Sequence, residues 1–260
     1  MDDSAVNPFL EDLFVDHSTR LPGVARIHQS ACSQILDAVT EIAETTALLG
    51  RLILVAAPGA GYGKSHLVAR VRESLGSAAP ALALPFDRSR PATWPVALAS
   101  VLRQFTSLQG SVPHQTLFEE FSRRFLSRLI IQAIRNGALE PKNCPESPER
   151  VRDEYATLLA VGSTSKLLDW TEKHASELIR TGGPELARRL GMSPSELGFW
   201  TRLFLSLNLR EEAALESLRG LSNGEAKERL LQLLRVATDH RPLVMVADGL
   251  DGFHRSETAG

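Results

Sequence analysis

The sequence predicts an α/β fold: a parallel sheet, incomplete at its C-terminal end, that carries a large all-helical insertion. Three observations lead there. Apolar runs at residues 52–57 and 81–86 flank a glycine-rich turn and a helical stretch. A long central stretch shows helical spacing and no strand pattern, and a further apolar run at 243–247 ends in acids. Runs that stay apolar at every position belong to strands covered on both faces, as in parallel sheets.

Size and composition narrow the class. The chain has 260 residues, 43% hydrophobic, 23% charged and 6% aromatic. That profile supports a buried core and excludes disordered, collagenous and disulfide-stapled chains. With 29 Lys+Arg against 31 Asp+Glu the net charge is −2, so no bulk positive field holds nucleic acid or anionic lipid. Cys32 and Cys144 are too few and too far apart for a zinc site or a disulfide framework, which points to a reducing compartment. The opening Met1-Asp2-Asp3-Ser4 is acidic where a signal peptide is basic, and the apolar runs fall short of a membrane span. The expectation is a cytoplasmic protein that does not enter a membrane.

In chain order, residues 1–26 mix Pro8, Phe9, Leu10 and Phe14 with acids and show no sustained period, so they read as an N-terminal arm. Residues 27–93 read as the strand–loop–helix part of a nucleotide-binding domain. A helix over about 27–49 follows from Ile27, Ile35, Leu36, Val39, Ile42, Ala43 and Leu49, with Gly50 as its stop. The strand at 52–57 comes next, then a glycine-rich loop at 58–63. A helix at 64–75 ends near Gly76, and a second strand runs over 81–86.

Residues 94–240 form the helical insertion. Its clearest helix is 117–134, where Leu117, Phe118, Phe121, Phe125, Leu129 and Ile130 share a face. Further helices are expected at 148–161, 165–180, 184–190, 194–207, 210–218 and 224–238, and Ser193-Pro194-Ser195-Glu196 is a capping-box start. Residues 241–260 hold the last strand and a short end.

Chemistry concentrates in Pro58-Gly59-Ala60-Gly61-Tyr62-Gly63-Lys64-Ser65, set between an apolar strand and a helix. Gly59, Gly61 and Gly63 reach backbone angles closed to other residues and let amide groups approach phosphate oxygens. The helix N-terminus adds a positive dipole end, Lys64 reaches the β- and γ-phosphates, and Ser65 offers a hydroxyl to Mg²⁺. The backbone amides of Ala60, Tyr62 and His66 complete the cradle. The strand at 243–247 ends in Asp248-Gly249-Leu250-Asp251, which places Asp248 to hold Mg²⁺ and Asp251 to orient the attacking water.

The first stretch resembles the Walker A motif of P-loop NTPases, with Pro58 in the place of the first glycine, and the second resembles their Walker B element. Gly249 stands where AAA+ ATPases generally place a glutamate, so Asp248-Gly249-Leu250-Asp251 looks more like the NACHT branch of the STAND ATPases. Asn7-Pro8-Phe9 ahead of a helix is similar to bacterial AAA-type ATPases, whose N-terminal arm packs near the adenine. The resemblance implies ATP and Mg²⁺ as ligands, Mg-dependent hydrolysis that drives a conformational change, and a homo-oligomer. It also implies a further strand–helix unit with sensor and arginine-finger residues, for which the tail after Asp251 has no room. The chain therefore reads as the N-terminal part of a longer ATPase, or as a sheet lacking its middle strand. The alternative function is a switch or scaffold that binds ATP with little turnover, with the insertion as the surface for a protein partner.

Other features read more simply. His17, His28, His114, His174, His240 and His254 are scattered, without metal-site spacing. Arg123, Arg124, Arg128 and Arg135 share a helix with Glu119 and Glu120 and read as a solvated face, so nucleic acid is not supported. Phe118, Phe121 and Phe125 fit core packing, as do Trp94, Trp170 and Trp200.

Overall fold

The computed structural model describes residues 28–44, 50–56, 63–76, 78–84, 93–108, 115–137, 165–209, 216–239 and 241–247. The chain divides into two compact units, residues 1–91 with 241–260, and residues 92–240. The first is therefore discontinuous in sequence, and the second is the connection between its strands.

The first unit contains helices α1 (Gln29–Glu44) and α2 (Lys64–Leu75) and strands β1 (Ala81–Leu84) and β2 (Val244–Ala247). The strands pair in parallel, Ala81 opposite Val244 and Leu84 opposite Ala247, and Val244 N–H donates to the Pro80 carbonyl at 3.0 Å. Two strands alone are marginal in water and need a packed layer. Helices supply it: Leu67, Val71 and Leu75 recur every four residues along α2 and are buried with Cys32 of α1 and Ala79. Ala31, Ile35, Leu36 and Val39 of α1 and Val244 of β2 pack around them.

These findings correct the expected fold class. Helix takes 73% of the described residues, and their sheet has two strands, not the larger parallel sheet of a P-loop NTPase. The largest departure is the run expected as a buried strand at 52–57. Residues 51–56 form no strand, and Leu52 and Leu54 are 84% and 79% exposed against 42% and 43% for Ile53 and Val55. The alternation is that of an extended chain with one side half-covered. An apolar run states that a strand is possible and says nothing about its neighbours. Here β1 and β2 pair along one edge each, and residues 51–56 join neither strand. The Arg51–Glu41 ion pair at 2.6 Å ties its start to α1, but both partners are more than half exposed, so it contributes little.

The second unit is built from α3 (Trp94–Ser107), α4 (Leu117–Arg135), α5 (Ser165–Lys173), α6 (Ala175–Thr181), α7 (Gly183–Leu190), α8 (Pro194–Leu209) and α9 (Asn223–Thr238). α4 is its axis and touches α3, α6, α7, α8 and α9. Its start is a capping box, with Glu119 N–H donating to Thr116 Oγ1 and Thr116 N–H to the Glu119 carboxylate. The same reciprocal pair opens α8 through Ser193 and Glu196, and α9 through Ser222 and Glu225. The stretch read as one helix at 165–180 breaks at His174, whose ring stacks on Trp170 at 4.6 Å. Gly182 lies against α4 so closely that a Cβ there would collide with the Leu129 carbonyl oxygen. The helices expected at 148–161 and over 210–215 lie outside the described residues.

The core of this unit is aromatic. Phe204 of α8 meets Phe118, Phe121 and Phe125 of α4 edge-on at 6.0, 5.9 and 5.1 Å, and lies tilted against Trp200 at 5.4 Å. Trp200 is fully buried, and its indole N–H donates to Gln232 Oε1 at 2.9 Å. Trp94 departs from the expected packing role: it is 39% exposed, with the Lys227 ammonium 5.6 Å from its ring centroid.

Candidate functional site

The described part of the expected phosphate loop is the start of α2. Gly63 precedes the helix in the left-handed conformation, φ +77° and ψ 24°, and its carbonyl accepts the Leu67 N–H at 2.9 Å. Glycine adopts that conformation without the clash a Cβ brings. Lys64, Ser65 and His66 occupy the first turn and are half-buried. The first N–H groups of an α-helix have no intrahelical partner, and the macrodipole gathers positive character there. No acid stands in this first turn, and Gly63 at the N-cap has no side chain to cap it. α2 cannot shift along its axis easily, because Leu67, Val71 and Leu75 lock its other face into the core of the unit.

The structure thus places Gly63, Lys64, Ser65 and His66 together at one helix terminus. Gly59, Ala60, Gly61 and Tyr62 of the cradle, and Asp248 and Asp251 after β2, lie outside the described residues. β2 itself forms and ends at Ala247, immediately before Asp248.

From the sequence His66 has a backbone role only and His28 is one of the scattered histidines; the structure brings both side chains here. An ideal Cβ on Gly63 would stand 2.8 Å from His28 Nε2 and 3.5 Å from His28 Cδ2, so an imidazole edge fills the space that glycine leaves. His66 Nε2 is buried and has no hydrogen-bond partner among the described residues. His28 lies far from the loop in sequence and no spacing rule links the two; only the packing of α1 on α2 does. The groups gathered here fit an anionic ligand: a helix start behind a left-handed glycine, a lysine, a hydroxyl and two imidazoles. Among the described residues, no group of three or more His, Cys, Asp or Glu gathers as a metal site. No helix among them is long and apolar enough to cross a membrane.

The basic face of α4 turns out to be engaged internally. Arg123 donates from Nε to Asn208 Oδ1 at 2.9 Å, Arg124 pairs at 3.1 Å with the fully buried Glu120, and Arg128 pairs with Asp239. These three side chains are about one-fifth exposed: Arg123 and Arg128 tie α4 to α8 and to the end of α9, Arg124 pairs within α4, and Arg135 is exposed as the solvated-face reading expects.

No family model, curated protein or solved structure matches the chain. Any functional reading therefore rests on the chemistry at the start of α2 and on the two motifs.

Proposed function

We propose that the chain binds ATP with Mg²⁺ at the start of α2 and hydrolyses it to ADP and phosphate, driving a conformational change. The observation that carries the reading is Gly63-Lys64-Ser65-His66 opening a core-anchored twelve-residue helix from a left-handed glycine. The loop ahead of it, Pro58-Gly59-Ala60-Gly61-Tyr62, has the glycine spacing a phosphate cradle needs. Phosphoryl transfer asks mainly for positioning and charge stabilisation. In this reading the amides from Gly59 to His66 hold phosphate oxygens, Lys64 neutralises γ-phosphate charge, Ser65 and Asp248 hold Mg²⁺, and Asp251 orients the attacking water. Mg²⁺ supplies charge neutralisation at the transferred group. The helical unit offers a surface for a protein partner, and the setting is cytoplasmic; a homo-oligomer is part of the same proposal.

A second reading is a switch that binds ATP and hardly turns it over. It is favoured by residues 51–56, which are exposed and pair with no strand among the described residues. Steady-state phosphate release from the full chain separates the two. Hydrolysis predicts turnover that Asp251→Ala abolishes while Mg-ATP binding persists; the switch predicts binding with negligible turnover in the wild type. Absence of Mg-ATP binding defeats both.

A further inference from the structure

Gly63 is where an imidazole meets the candidate phosphate site. The atom nearest to its missing Cβ is His28 Nε2, at 2.8 Å, with Cδ2 next at 3.5 Å, so a ring nitrogen leads the approach to the glycine before Lys64. The backbone that carries the ring is fixed, and a second imidazole stands beside the same glycine. His28 adopts φ 58°, uncommon for a residue other than glycine. Its carbonyl accepts the Cys32 N–H at 2.9 Å, one turn into α1. Cys32 is buried against the α2 face that carries Leu67 and Val71. On the other flank, His66 Cβ lies 4.0 Å from the same point, and His66 Nε2 is buried without a partner among the described residues. A buried nitrogen left unpaired is costly unless a ligand or water completes it.

We propose that His28 is a phosphate-contacting residue of this site, its Nε2–H donating to a phosphate oxygen of the bound nucleoside triphosphate. The inference rests on the nucleotide reading and adds to it a residue from outside the loop. Imidazole suits the place because Nε2 can donate to an anion while the Nε2–Cδ2 edge lies against a backbone that has no side chain. A role in packing alone asks only for a ring of this size.

The test is titration calorimetry of Mg-ATP into the full chain, comparing wild type, His28→Phe, His28→Gln and Lys64→Ala. Phe and Gln face the same backbone demand at φ 58°, so their difference isolates the N–H donor. The expected result is affinity at least about tenfold weaker in His28→Phe, with His28→Gln recovering most of the loss. Unliganded melting of the two His28 variants should agree. Wild-type affinity in His28→Phe alongside lost binding in Lys64→Ala overturns the role of His28 and leaves the nucleotide reading standing. So does equal weakening in Phe and Gln. Failure of the wild type to bind Mg-ATP overturns both.

Discussion

Gly63 joins the sequence to the candidate chemistry through two constraints that act together. Its backbone is left-handed, and the volume beside its Cα belongs to His28. Gly63→Ala therefore meets both a φ penalty of about 1–2 kcal/mol and a close contact with the ring. We expect chemical denaturation to show a loss of at least about 1 kcal/mol, and His28→Ala combined with Gly63→Ala to lose less than the two single changes added together. Strict additivity would show that the ring and the glycine do not meet. The glycine-rich spacing and Lys64-Ser65 were legible from sequence because their order is local. His28 was not, because its place depends on α1 lying against α2, and no periodicity within either segment encodes that contact.

Helix starts and stops were read well where a side chain acts on its own backbone. Ser193 and Glu196 exchange hydrogen bonds as the spacing indicated, and the same device at Ser222 and Glu225 opens α9. Ser193→Ala or Ser222→Ala should each cost about 1 kcal/mol, measured by urea unfolding. The backbone and then the side-chain hydrogen bond of Ser193 hold the Glu196 carboxyl below the usual glutamate range. The Ser222 hydroxyl and then its N–H do the same for Glu225. A carboxyl depressed on folding adds stability above the unfolded glutamate pKa and loses it as pH falls through the folded value. The melting midpoint should therefore fall more steeply in the acid range for the wild type than for Glu196→Gln; parallel curves would show that the cap carries no linkage. Strand reading fared worse. The runs at 81–84 and 244–247 form a ladder, whereas 51–56, equally apolar, does not, since pairing partners are chosen by tertiary contacts that a single run cannot specify.

The two units differ in how much of their fold was visible. Between Trp94 and Asp239 the sequence shows helical spacing and no strand pattern, and the described residues there form helices around a cluster of phenylalanines centred on Phe204. Phe204→Ala should cost about 3–5 kcal/mol. Residues 92–240 expressed alone should unfold cooperatively, with that variant lowering the midpoint, while a gradual melt would mean that the unit depends on the rest of the chain. The first unit was misjudged as a larger sheet because three buried-strand patterns were assumed to share one ladder. The measurement that decides most is thermal unfolding of the full chain with and without Mg-ATP, for wild type and Lys64→Ala. Ligand at about a hundred times its dissociation constant adds about 2.7 kcal/mol to the state that binds it. The nucleotide account predicts a raised midpoint for wild type and none for Lys64→Ala; an unchanged wild-type midpoint, or an equal rise in both, would contradict it.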